Sequence, residues 1–132
     1  MLLAALAAAL VLAGTNLLGP GWDVPVAGVY TDCSGAAAVP AGWAAWEWTC
    51  AGPNNLYLLG HNPGAFAQIE TLRPGDPLLL NGQVYWVEWS RAVAADDWSV
   101  AQGLPYPSLT LQTCDGQGRW VVRAYEGFPG LP

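Results

Sequence analysis

Lysine is absent from this 132-residue chain, and its only cationic side chains besides one histidine are Arg73, Arg91, Arg119 and Arg123. Against ten Asp and Glu residues they leave a formal net charge of -6. So little positive charge supplies no basic patch for a phosphate backbone, which excludes nucleic acid as a partner. Charged residues of either sign are scarce at 11%, whereas 53% of residues are hydrophobic. That balance excludes a disordered tail and calls for a filled core. Histidine occurs once, at His61, and cysteine three times, at Cys33, Cys50 and Cys114. These residues lack the paired close spacing of zinc ligands, so no metal site and no cofactor are expected. Asp96 and Asp97 are too few for a calcium cage of about 6–8 oxygens and read as a solvated loop.

The length suits one domain. Residues 1–18, MLLAALAAALVLAGTNLL, are apolar except for a break at Gly14, Thr15 and Asn16. The continuous part, residues 2–13, is shorter than the roughly 20 residues of a membrane-spanning helix and nearer a signal-peptide core. Residues 1–18 are therefore expected to be a signal peptide or membrane anchor, with residues 19–132 forming the folded domain. Export takes a chain to a compartment where disulfides persist. An odd number of cysteines then leaves one thiol over, either for another chain or for chemistry.

Short apolar runs separated by turn signals dominate the rest. Strands are expected at residues 24–31, 56–60, 77–80, 84–89, 109–114 and 119–125. Residues 32–52 are expected to be loop with a short helix or 3₁₀ turn. Asn81-Gly82 is the strongest short hairpin signal, and it separates the third and fourth of these strands. Phe66, Ile69 and Leu72 recur at helical spacing, so residues 65–72 are expected to hold a short helix. Residues 91–107 read as a connection. Many short strands and little helix predict an all-β barrel or sandwich.

The last hairpin carries the chemistry. Four residues separate Cys114 from Arg119, so a symmetric closure sets them opposite each other, about 4.5–5.5 Å apart at Cα. Alternation supports this register: Leu109, Leu111, Thr113, Trp120, Val122 and Ala124 share one face, largely apolar. Thr110, Gln112, Cys114, Arg119, Val121 and Arg123 share the other, mostly polar, and a slip of one residue would exchange the two sets. A guanidinium beside a thiol favours the thiolate, the nucleophilic form. Acyl transfer also needs a proton carrier within reach, and His61, at a strand end before a tight turn, is the single imidazole available. A strand-end cysteine beside an arginine is, however, structural more often than catalytic, and a lone histidine before a turn is often just a surface residue.

These residues resemble a known family. Gly60-His61, then Phe66, Leu72 and Gly75-Asp76, look like the histidine segment of sortases. Residues 109–114, Leu-Thr-Leu-Gln-Thr-Cys, followed by an arginine that opens a strand, resemble their cysteine signature. The similarity covers residues 56–125. It implies a sortase-like closed β-barrel of about eight strands with one or two short helices. It also implies an extracytoplasmic cysteine transpeptidase, anchored in the membrane or secreted, with Cys114 as nucleophile, His61 as acid and base, and Arg119 as oxyanion donor. Thr113 would help line the oxyanion site. The substrates would be proteins bearing an LPxTG-like sorting signal, and the acceptor an amine on the cell wall or on a protein. Reserving Cys114 for catalysis leaves Cys33 and Cys50 as a disulfide. Compared with the family, the barrel and the connection at residues 91–107 are short.

Eight tryptophans admit a different class, a secreted Trp-rich carbohydrate-binding or structural β-domain without catalysis. That alternative requires Trp43, Trp46 and Trp48 to share one exposed face, or Cys114 to be buried.

Overall fold

The computed structural model of the chain describes residues 26–34, 42–114 and 118–127. The segment expected to be a signal or anchor, residues 1–18, lies outside the described residues. Among the described residues, no helix is long and apolar enough to cross a membrane. The strands are β1 (Val26–Tyr30), β2 (Ala45–Trp48), β3 (Asn55–Leu59), β4 (Pro77–Leu80), β5 (Gln83–Val93), β6 (Ser108–Cys114) and β7 (Arg119–Glu126). They form one sheet in the order β1-β2-β3-β6-β7-β5-β4. β1 pairs with β2, and β3 with β6, in parallel; the other pairs are antiparallel. The sheet curls into a half-barrel of seven described strands, where the sequence pointed to about eight, and the architecture is the all-β one expected.

Period-two alternation in β3, β6 and β7 puts apolar side chains on both faces. Leu58, Leu109, Leu111, Val122 and Ala124 point into the curl, where they meet Phe66, Ile69, Leu78 and Val87. Tyr57 and Val121 point the other way and pack with Trp48, Val93 and Val100. Each large apolar side chain buried in this way contributes about 1.5–3 kcal/mol. The turn between β4 and β5 is the Asn81-Gly82 hairpin, and both residues have positive φ, 50° and 80°, as a type I′ turn requires.

Three local expectations are corrected. Residues 65–72 form turns and a single 3₁₀ turn, Ile69–Thr71, rather than an α-helix. A repeat of three fits the three residues per turn of a 3₁₀ helix, and Phe66, Ile69 and Leu72 are all buried. Within residues 32–52, expected to be loop, β2 forms because β1 and β3 flank it and take up its backbone groups. The mostly polar face of the last hairpin is covered, and the residues read only as a connection supply the cover. Residues 94–107, which connect β5 to β6 through a second 3₁₀ turn, Ser99–Ala101, fold back across it.

That connection is seated by close backbone contact. Gly52 N–H donates to the Ala101 carbonyl at 2.8 Å, and Leu104 N–H donates to the Pro53 carbonyl at 2.9 Å. A Cβ on Gly52 would lie 2.2 Å from the Gly103 nitrogen, so no side chain fits there. On the other side of this region Cys33 and Cys50 form a disulfide with Cα atoms 5.6 Å apart. It ties the chain beyond β1 to the turn after β2. Closing a loop of this size stabilises the fold by about 3 kcal/mol in the chain-entropy model.

Gly52→Ala is therefore expected to cost about 1–3 kcal/mol through overpacking and to loosen residues 94–107. Urea denaturation followed by tryptophan fluorescence measures both effects, because Trp98 rides on that connection. An unchanged midpoint would mean that the Gly52–Gly103 approach does not seat the connection.

Candidate active site

β3 and β6 determine where the sequence candidates meet. Their parallel register runs from Asn55 opposite Ser108 to Leu59 opposite Gln112. The ladder extends one step further, since Gly60 N–H donates to the Gln112 carbonyl at 3.1 Å. Two residues beyond the Leu59–Gln112 pair come His61, just past the end of β3, and Cys114, the last residue of β6. On the opposite flank of β6, Cys114 is paired with Arg119, as alternation predicts. Cys114 and Arg119 thus face each other on adjacent strands, and His61 lies two residues past the end of β3, the neighbour of β6 on its other flank.

Cys114 is a free, exposed thiol. His61 is half-buried, and its carbonyl accepts the Phe66 N–H at 3.0 Å. The glycine before it has a packing cause: a Cβ on Gly60 would lie 2.7 Å from the Phe66 ring. Gly64, at a φ of +148°, closes the turn after His61, and a Cβ there would lie 3.0 Å from the His61 Cβ. Small residues on both sides thus allow the imidazole-bearing segment to fold tightly against Phe66.

The two arginines of β7 are both buried and sit at different depths along the strand. Arg119 is 5% exposed. Its Nη1 donates to Gln112 Oε1 at 3.1 Å, and its Nη2 donates to the Ala94 carbonyl at 2.8 Å and to the Asp97 carbonyl. The Trp98 ring centroid lies 4.4 Å from the guanidinium carbon. Arg123, paired with Thr110, sits four residues deeper along the strand. Its Nε donates to Thr110 Oγ1 at 3.0 Å and its Nη2 to the Val100 carbonyl at 2.7 Å. Burial lowers the Arg123 pKa from its ordinary value. Both arginines thus bind carbonyls of the connection, and Arg119 is the one paired with Cys114.

A polar ladder missed by sequence reading runs beneath the rim. The Tyr57 hydroxyl donates to Gln112 Oε1, and Thr110 Oγ1 donates to Asn55 Oδ1 at 2.5 Å. Burial pushes the Tyr57 pKa up to about 12, against the opposing pull of Arg119 and Arg123. The Ser99 hydroxyl and amide both donate to the Asp97 carboxylate, which holds its pKa below the usual range. Gln112 was legible as sharing the face of Cys114. Tyr57 was not, because its place beside Gln112 depends on pairing between strands 55 residues apart. Thr113 is 2% exposed and alternates to the face opposite Cys114. Its hydroxyl is therefore directed into the barrel and not toward the thiol. No shared tryptophan face forms either: Trp43 is 74% exposed, but Trp48 is buried against Tyr57, ring centroids 5.2 Å apart.

The fold defines an all-β half-barrel in which Cys114 and Arg119 face each other at the ends of neighbouring strands. Residues 20–126 match the family model described as Sortase domain, and the chain belongs to the sortase family. Solved structures of similar fold include sortase A of Listeria monocytogenes, with a TM-score of 0.56 at 21% identity, covering 74% of this chain and 75% of that one. Sortase A of Corynebacterium diphtheriae gives a TM-score of 0.53 at 22% identity, covering 79% of this chain and 57% of that one. A sortase C of Clostridium perfringens, solved with the C-terminal cell wall sorting motif, gives 0.52 at 22%, covering 75% and 62%. The chain thus spans less than two thirds of the length of the last two. No curated protein matches it in sequence.

The buried phenol makes a pH prediction. The folded-state pKa of Tyr57, about 12, lies above the ordinary value of about 10, so the protonated form favours the fold. This stability is fully present below about pH 10 and is lost as pH rises towards 12. Roughly 2–3 kcal/mol should disappear across that window. Tyr57→Phe should flatten the decline, leaving the smaller contribution of Tyr85, whose pKa burial also raises. Denaturant midpoints between pH 9 and 12 measure it, and equal slopes in the two proteins would contradict the assignment.

Proposed function

We propose that the chain is an extracytoplasmic cysteine transpeptidase of the sortase type. The observation that carries this reading is the free thiol of Cys114, exposed at the end of β6 and paired with Arg119, with His61 two residues past the end of the neighbouring β3. In this reading the Cys114 thiolate attacks the carbonyl carbon of a scissile peptide bond in a sorting signal. The tetrahedral intermediate collapses as the C–N bond breaks, and His61 protonates the departing amine. The thioester on Cys114 is then attacked by an acceptor amine, His61 removes a proton from it, and the C–S bond breaks to restore the thiolate. Arg119 stabilises the oxyanion in both halves.

The substrates are proteins with an LPxTG-like sorting signal, and the acceptor is an amine of the cell wall or of another protein. The sortase C solved with a cell wall sorting motif supports that substrate class. Residues 1–18 serve as signal peptide or membrane anchor ahead of the catalytic domain at residues 19–132. The side-chain direction of Thr113 limits any part it plays in the oxyanion site to its backbone. The carbohydrate-binding alternative loses its basis with the burial of Trp48.

Incubation with a panel of sorting peptides followed by mass spectrometry should reveal a thioacyl adduct on Cys114. Cys114→Ala and His61→Ala should each abolish transfer, and Cys114→Ala should change stability by less than about 1 kcal/mol. Transfer near the wild-type rate in either variant would refute the mechanism. Arg119→Ala should lower the rate roughly 10²–10³-fold, and Arg119→Lys should rescue it poorly, because an ammonium lacks the planar fork. Arg123→Ala should cost far less in rate. Steady-state kinetics showing the larger defect at Arg123 would reverse the assignment of the two arginines.

A further inference from the structure

Arg119 carries a long side chain that could swing clear of the rim, yet it is held from three directions. On the sheet, one acceptor does the holding. Gln112 Oε1 receives Arg119 Nη1 at 3.1 Å from β7, and from β3 it receives the Tyr57 hydroxyl. An amide oxygen has two lone pairs, so these two donors saturate it and fix which end of the amide faces them. Gln112 lies two residues before Cys114 on the same face of β6, one rung below the thiol. Tyr57 is fully buried, and with a pKa near 12 its hydroxyl remains a neutral donor throughout any working pH range.

From above, Arg119 Nη2 is engaged by the Ala94 and Asp97 carbonyls, and Trp98 covers the guanidinium plane. Both terminal nitrogens therefore have acceptors. Nε is different: it is buried and has no acceptor among the described residues. A donor desolvated without a partner is costly unless something else satisfies it.

We infer that Gln112, backed by Tyr57, is a positioning residue that fixes the Arg119 guanidinium in place beside Cys114; this rests on the transpeptidase reading above. Neither Gln112 nor Tyr57 touches the reacting atoms. They act through Arg119, and their removal lets the fork rotate away.

Two measurements test this independently. The first requires no substrate. With four arginines in the chain, the side-chain Nε–H signals are readily assigned by NMR. The Arg119 signal should exchange slowly with solvent, with distinct Nη resonances, in the wild type. In Gln112→Leu it should exchange at least 10-fold faster and its Nη resonances should merge, while Gln112→Glu, which still offers an acceptor oxygen, should restore them. An Arg119 signal unchanged in Gln112→Leu overturns the inference. The second is a double-mutant cycle on peptide transfer. Gln112→Leu should lower kcat about 10- to 100-fold with KM within about 3-fold of wild type. In an Arg119→Ala background it should have no further effect. A full additional loss in that background would show that Gln112 acts independently of Arg119, and would equally overturn it. A wild-type protein that forms no thioacyl adduct with any peptide would sink the transpeptidase reading instead, leaving the NMR comparison to judge the tether.

Discussion

The parallel pairing of β3 with β6 is the constraint on which the rest depends. Antiparallel neighbours can be joined by a two-residue turn, but parallel ones need a long crossover. Here that crossover contains the 3₁₀ turn, the β4–β5 hairpin and the covering connection. Its result is that β3 and β6 run side by side, with His61 and Cys114, 53 positions apart in the chain, each two residues beyond the Leu59–Gln112 pair. The hairpin to β7 then adds Arg119 by local geometry alone. One arrangement is fixed by four residues of loop; the other requires nearly half the chain to be folded first.

This difference explains what could be read from the sequence. Cys114 opposite Arg119 followed from alternation and a short loop, and the structure has the same register. The Asn81-Gly82 turn followed from backbone sterics alone. β2 did not, because four residues in an Ala- and Gly-rich stretch become a strand only when neighbours on both sides accept their hydrogen bonds. Nor did the cover over the polar face. Residues 94–107 carry Asp96, Asp97 and Ser99 and look solvated, and they are indeed mostly exposed. They nevertheless deliver carbonyls and Val100 to the face below, a role of backbone atoms that side-chain patterning does not record. Gly52 and Gly103 make that approach possible by what they lack.

The arginines show how burial can sort residues that a face cannot. Arg119 and Arg123 share one side of β7, and both are nearly inaccessible. A guanidinium under cover is tolerated when its donors have acceptors, and backbone carbonyls of the connection supply them in both cases. The same carbonyls thereby anchor a segment that has few apolar side chains of its own. Charge and cover stabilise each other, with Tyr57 and Gln112 completing the set from the sheet side.

The exposure of Cys114 has a further consequence when set beside the missing lysines. In the transpeptidase reading, a thioester formed on Cys114 would meet whatever amine reaches it first. On most protein surfaces the nearest amines belong to the protein itself, and self-labelling or cross-linking between copies would compete with transfer to the intended acceptor. No side chain in these 132 residues carries a primary amine. Guanidinium groups remain protonated and do not acylate at neutral pH. A surface built only with arginine can keep its cations, use them to fasten backbone, and still offer such a thioester no side-chain amine.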